Sequence, residues 1–157
     1  MKIVSDKTPK VEVASILTHD EIDAIHEFMH HYPHARAASL DALKIVQKRN
    51  GWVDDAQVNA IANMLDIPVT DIDGIENLFN SIYRQPVGRH VILICDSVAC
   101  YLTGYEALSA AFRAELGIEY GQTTADGRFT ILPICCLGNC DKGPAVLIDE
   151  DTYGTVQ

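Results

Sequence analysis

The sequence is short of positive charge: 12 Lys and Arg face 22 Asp and Glu, a formal net charge of −10. That deficit argues against a nucleic-acid binder, because affinity for phosphates comes mainly from Lys and Arg. Long apolar runs are missing too. None exceeds the stretch at residues 91–95, far short of a membrane span. Residues 1–6 do not lead into the apolar core of a signal peptide. No G-x-G-x-x-G or other nucleotide loop is present, and no C-x-x-C. What is present is five cysteines, all after residue 94. Without a secretion signal they are expected to be ligands or reactive thiols in a reducing compartment, not disulfides. At 157 residues and 48% hydrophobic, the chain suits one domain, or two small ones sharing a core.

The two ends of the chain differ. Residues 1–50 hold seven basic and seven acidic side chains, so the whole excess of negative charge falls after residue 50. Residues 1–15 show no lasting period and are expected to be irregular. Thr18 followed by Glu21 is a capping-box signature. Ile22, Ile25, Met29 and Tyr32 then recur at helical spacing, predicting a helix over 19–32 that Pro33 ends. A second helix is predicted from about Ser39, with Leu40, Leu43 and Val46 inward and Asn50-Gly51 as its stop. Asp54 or Asp55 can cap a third, with Val58, Ile61 and Leu65 on one face. Residues 68–83 read as a further helical segment, interrupted by Gly74. Residues 1–83 are thus predicted to be a tail and a small helical bundle.

One motif in the bundle is a decoy. His26-Glu27-Phe28-Met29-His30 matches H-E-x-x-H, the zinc-protease helix pattern. The apolar stripe of that helix centres near Ile25 and Met29, which puts both histidines on its solvent flank. Pro33 and Arg36 also break the extended form of the motif. A solvated flank is the reading adopted.

Residues 84–157 look different. Residues 89–95 are β-branched and apolar and predict a buried strand. Residues 103–116 predict a helix carrying Tyr105, Leu108, Phe112 and Leu116 inward, with Gly117 as its stop. Asp126-Gly127 is a hairpin-type turn. Residues 128–132 and 145–148 predict two more strands. The fold class is therefore α/β: a small helical bundle followed by a small α/β domain. The cysteines fall in connecting loops at strand ends, a common place for chemistry.

Cys95 and Cys100 are spaced C-x4-C, and Cys136 and Cys140 are spaced C-x3-C. Two such pairs supply the four thiolates that a tetrahedral metal or a [2Fe–2S] cluster requires. Gly138 and Gly143 let backbone turn closely around the sulfurs, and Val98, Ala99 and Leu137 are placed to keep water off. Cys135 complicates the count, since it would give C-x4-C in both loops. Adjacent residues on extended backbone point to opposite sides, so only one of Cys135 and Cys136 faces the metal easily. A structural zinc site and a dithiol redox protein are the competing readings. A cluster in so acidic a region should be hard to reduce, which predicts a low potential.

Cys95-Asp96-Ser97-Val98-Ala99-Cys100, then Cys136-Leu137-Gly138-Asn139-Cys140 running on to Gly143-Pro144, resemble the thioredoxin-like [2Fe–2S] ferredoxin family. Within it they are most similar to the branch serving bacterial respiratory complex I, the NADH:quinone oxidoreductase. Arg36-Ala37-Ala38-Ser39, Gly51-Trp52-Val53 and Arg84-Gln85-Pro86-Val87-Gly88-Arg89-His90 share that resemblance. It implies a thioredoxin-like ferredoxin domain over residues 84–157 and a [2Fe–2S] cluster held by Cys95, Cys100, Cys136 and Cys140, with Cys135 a non-ligand. It implies an electron-transfer component rather than a catalyst in its own right. The cluster would exchange single electrons with the FMN of the NADH-binding F component, in a peripheral arm on the cytoplasmic side of the inner membrane. NADH and FMN would then bind the partner and not this chain. The same module in a soluble NAD-linked hydrogenase or formate dehydrogenase, or a zinc-stabilised docking module, are the alternatives. Two departures stand out. Asn77-Leu78-Phe79 replaces the family's usual Thr-Phe-Tyr, so packing there is expected to differ. The sequence also stops at Gln157, before the family's last helix, so that helix is expected to be absent and part of the sheet less covered or covered by a partner.

Overall fold

A computed structural model describes residues 13–79 and 81–156, and the side chains of all of these except 76–78. The chain divides into two compact units, Met1–Pro86 and Val87–Gln157. Residues 1–12 lie outside the described residues.

The first unit is helical: α1 (Val13–Ile16), α2 (His19–His31), α3 (Ser39–Asn50), α4 (Asp55–Leu65) and α5 (Val69–Leu78), with a 3-10 turn over Ala35–Ala38 leading into α3. The sequence signals account for most of these bounds. Thr18 caps α2 through a complete capping box with Glu21. Asp54, not Asp55, caps α4, with Gln57 closing the box. Gly51 ends α3 in the left-handed conformation at φ 79°. Three expectations are corrected. Val13–Ile16 forms a helical turn where irregular backbone was expected. Tyr32 lies beyond the end of α2, exposed and hydrogen-bonded to Asp41, instead of facing the core. The α5 helix stops at Leu78, well short of residue 83, because Phe79 turns extended. Phe79 is exposed, while the side chains of Asn77 and Leu78 lie outside the described residues.

The helical stripes meet in one core. Ile25, Leu43, Val46, Val53, Ile61 and Ile72 are wholly buried there. Each contributes about 1.5–3 kcal/mol relative to an exposed side chain. His26, Glu27 and His30 are all exposed, on the flank where the periodicity puts them.

The second unit is a four-stranded sheet with helices: β1 (His90–Cys95), α6 (Val98–Thr103), α7 (Tyr105–Leu116), β2 (Phe129–Ile134), β3 (Val146–Ile148) and β4 (Asp151–Tyr153). Strand order is β2-β1-β3-β4. The β1 and β2 strands run parallel, from His90 opposite Phe129 to Cys95 opposite Ile134. The β3 strand is antiparallel to β1, and β4 to β3. With neighbours on both sides, β1 is buried along almost its whole length, as its unbroken apolar run requires. Ile92 and Ile94 pack with Leu108, Ile131 and Val146. Cys95, next along the strand, points the other way and packs with Cys100 and Ala145.

The helix expected over 103–116 forms as α7 from Tyr105, and a short helix that was not expected, α6, precedes it. Gly104, at φ 124°, breaks the chain between α6 and α7. No sequence period marks α6, because only Cys100 on it is buried. The β4 strand was also not anticipated. It is exposed throughout, so it has no apolar alternation, and its turn uses Asp149 at φ 53° in place of glycine. The acidity divides more evenly than the sequence halves suggest. Val87–Gln157 holds four basic and nine acidic side chains, which is half of the net charge.

Candidate metal centre

Parallel pairing brings the carboxyl ends of β1 and β2 to the same edge of the sheet, and both cysteine loops leave from there. The Asp96 N–H donates to Ile134 O at 3.0 Å, tying the two strand ends together. Cys95 is the last residue of β1, and its N–H donates to Ala145 O at 3.1 Å. The α6 helix starts three residues on, and Cys100, its third residue, faces the interior. Cys95 and Cys100 are each 1% exposed, and they pack in one buried cluster with Ala145.

The second loop leaves β2 with Cys135 and Cys136. Gly138, at φ 75°, bends the backbone so that its N–H donates to Cys136 Sγ at 3.4 Å. A side chain would strain that conformation. The chain then enters a 3-10 turn over Cys140–Lys142, and Cys136 Sγ lies 3.7 Å from Cys140 Sγ. A tetrahedral metal with metal–sulfur bonds of about 2.3 Å holds two thiolates about 3.8 Å apart. The Cys136–Cys140 pair is therefore already spaced to share one ion. Cys135 is exposed, and the loop uses its backbone: its carbonyl accepts from Cys95 Sγ at 3.8 Å.

Gly143 lets the two loops meet. A Cβ there would lie 2.6 Å from Thr103 Oγ1 at the end of α6. That hydroxyl donates to Ala99 O at 2.9 Å and lies 3.2 Å from Cys100 O. Leu137 is partly buried beside Cys95, Cys100 and Ala145. Val98, however, is 76% exposed and shields nothing, contrary to expectation.

The thiols differ in acidity. Burial pushes Cys95 up, but the Ser97 hydroxyl and N–H, the Cys100 thiol and the Leu137 N–H outweigh it and hold Cys95 below the usual thiol range. Burial pushes Cys100 up, and its bond to Cys95 adds to that. The hydrogen bond with Cys136, and then that neighbour's charge, push Cys140 up. Cys140 also feels the charges of Cys100 and Cys95, so the two pairs lie within electrostatic reach.

The structure thus brings together, as two pairs, the four cysteines that the sequence singled out. Among the described residues no three His, Cys, Asp or Glu side chains surround one point that a metal ion could take. A dinuclear cluster does not ask for that: each iron takes two thiolates and shares two sulfides. The donor set and spacing fit a [2Fe–2S] group. Two contributors were not read from the sequence. Ser97 was visible only as a polar residue after a strand, and the Thr103–Gly143 contact joins residues far apart in the chain.

Comparison with known proteins agrees with this geometry. The thioredoxin-like [2Fe-2S] ferredoxin model matches residues 25–157. The E component of the NADH-quinone oxidoreductase of Pseudomonas aeruginosa is 54% identical over 90% of this chain and 86% of that relative. The component of the same name from Escherichia coli K12 is 55% identical over 94% of this chain and 89% of its own length. Among solved structures, an NAD+-reducing [NiFe]-hydrogenase in the air-oxidized state aligns with a TM-score of 0.62 at 24% identity, over 76% of this chain. This chain spans only 20% of that hydrogenase chain, and the likeness is one of fold.

Proposed function

The chain belongs to the thioredoxin-like [2Fe–2S] ferredoxin family, and from that premise we propose that it is the electron-carrying E component of an NADH-quinone oxidoreductase. Its cofactor is a [2Fe–2S] cluster, held in our reading by Cys95, Cys100, Cys136 and Cys140. When bound, that group takes up and releases one electron at a time.

The residues divide the work. Cys95 and Cys100 bind from the buried side, where β1 and α6 fix them. Cys136 and Cys140 bind from the exposed side, where a partner can approach closely enough for electron exchange. The Gly138 N–H, aimed at Cys136 Sγ, favours the charge that reduction brings. The acidic side chains of this unit oppose that charge, which keeps the expectation of a low potential. Thiols must lose their protons to bind metal, so loading releases protons.

The partner we propose is the NADH- and FMN-binding F component of the same oxidoreductase, in a peripheral arm on the cytoplasmic side of the membrane. Two features support this: the sequence has no nucleotide loop, and no described helix is long and apolar enough to cross a membrane. The observation that carries the cluster assignment is the 3.7 Å spacing of Cys136 and Cys140 beside the buried Cys95–Cys100 pair. The test is metal and sulfide analysis of the purified chain. About two irons and two acid-labile sulfides per chain, with visible charge-transfer absorption, are expected. Zinc without iron would sink the proposal. Reduction by NADH should require the flavin-bearing partner, and reduction by NADH without it would remove the partner assignment.

A further inference from the structure

Ser97 occupies the N-cap position of α6, where a serine hydroxyl ordinarily accepts a hydrogen bond from the N–H two or three residues on. Here it makes no such bond. The helix starts on backbone alone, with the Tyr101 N–H donating to Ser97 O at 2.8 Å. The hydroxyl has turned back and lies 3.3 Å from Cys95 Sγ. We propose that Ser97 is a positioning residue that raises the reduction potential of the [2Fe–2S] centre, by donating a hydrogen bond to the Cys95 thiolate on its buried side.

The proposal rests on the cluster reading above and goes beyond it. A metal-bound cysteine is a thiolate with no proton to give, so the hydroxyl must be the donor in the loaded protein. Cys95 is 1% exposed, and a bond to it is little weakened by water. Reduction adds one electron and breaks no bond, and the extra negative charge strengthens every hydrogen bond donated to sulfur. The other groups favouring charge on the sulfurs are backbone N–H groups: that of Gly138 donates to Cys136 Sγ at 3.4 Å, and those of Ser97 and Leu137 act on Cys95 and that of Ala145 on Cys100. The Ser97 hydroxyl differs from these because a side-chain substitution removes its bond without moving the main chain. Because it caps nothing through its side chain, losing the hydroxyl should leave α6 in place.

The test compares the full-chain parent with Ser97→Ala and Ser97→Thr, each assayed for iron, sulfide and urea midpoint. The midpoint potential of each is then read from the spin signal during a mediated titration. Ser97→Ala should retain cluster and urea midpoint while its equilibrium constant for one-electron reduction falls about tenfold, a shift of about 59 mV to lower potential. Ser97→Thr keeps the hydroxyl and should stay within about a factor of two of the parent. An unchanged potential in Ser97→Ala, or an equal fall in both variants, overturns the assignment. So does loss of iron and sulfide from Ser97→Ala, which would make the contact structural. A parent lacking iron and sulfide overturns the cluster reading itself, and this inference with it.

Discussion

Gly143→Ala isolates the contact that holds the two cysteine loops together. The glycine has φ −67° and ψ 155°, which any residue adopts, so the substitution carries no backbone strain. Its cost is steric. The new Cβ would meet Thr103 Oγ1 at 2.6 Å, whereas ordinary contact begins at 3.4 Å, so something must move by about 0.8 Å. If Thr103 rotates away, it gives up its hydroxyl contacts with Ala99 O and Cys100 O, worth about 0.5–1.5 kcal/mol each. If the loop backs off instead, packing around Cys100 opens at similar cost. A destabilisation of about 1–3 kcal/mol follows, read as a lower urea midpoint at unchanged slope. Removing the obstacle should rescue it. In Thr103→Ala the nearest remaining atoms, Ala99 O and Cys100 Cα, lie at 3.6 Å, an ordinary contact. The double variant should therefore recover at least about 1 kcal/mol relative to additivity. A Gly143→Ala chain as stable as the parent, or one equally destabilised in both backgrounds, would refute the steric reasoning.

Further outcomes are expected. Cys95→Ser or Cys140→Ser should strip or distort the cluster, while Cys135→Ser should leave the visible spectrum nearly unchanged. A bleached Cys135→Ser protein would mean that Cys136 is the wrong neighbour. Leu43→Ala, at a wholly buried position, should cost about 2–5 kcal/mol in urea unfolding, and a loss under about 1 kcal/mol would contradict the packing described. Thr18→Ala removes the cap and half of a capping box and should cost about 1 kcal/mol, seen as a lower melting temperature. Burial pushes the Tyr120 hydroxyl, which lies 3.0 Å from Ser109 Oγ, up to about 12. The neutral form is thus favoured by folding. Its contribution is complete below the unfolded value of about 10 and is lost as the pH rises through the folded value. Alkaline unfolding of Tyr120→Phe should lack that component, and identical profiles would remove the assignment.

Much of the fold could be read from the residues, for local reasons. The capping box at Thr18, a capping aspartate at 54 or 55, the stop at Gly51 and the apolar stripe through Leu43 and Val46 act within a turn or two of the backbone. The apolar run ending at Cys95 marks a central strand for the same reason. The features that escaped are those with no local signal. The α6 helix buries one residue of six, so it shows no period, and the expected water shield at Val98 is solvent-exposed. The β4 strand is exposed and turns on an aspartate. At the candidate centre the spacing named Cys95, Cys100 and Cys140 and left Cys135 and Cys136 open, a choice that only the family resemblance made, and it did not say how the thiols sort. The burial of Cys95 and Cys100, the exposure of Cys136 and Cys140 and the turning of Ser97 toward sulfur follow from strand pairing across about forty residues of chain.

The central claim is that two cysteine pairs hold one group that carries single electrons. The most direct measurement is low-temperature electron paramagnetic resonance of the full chain, before and after dithionite, with spins counted against iron. A silent oxidised sample that gives about one unpaired spin per two irons on reduction is the predicted result. A sample that stays silent after reduction, with zinc in place of iron, would contradict the account.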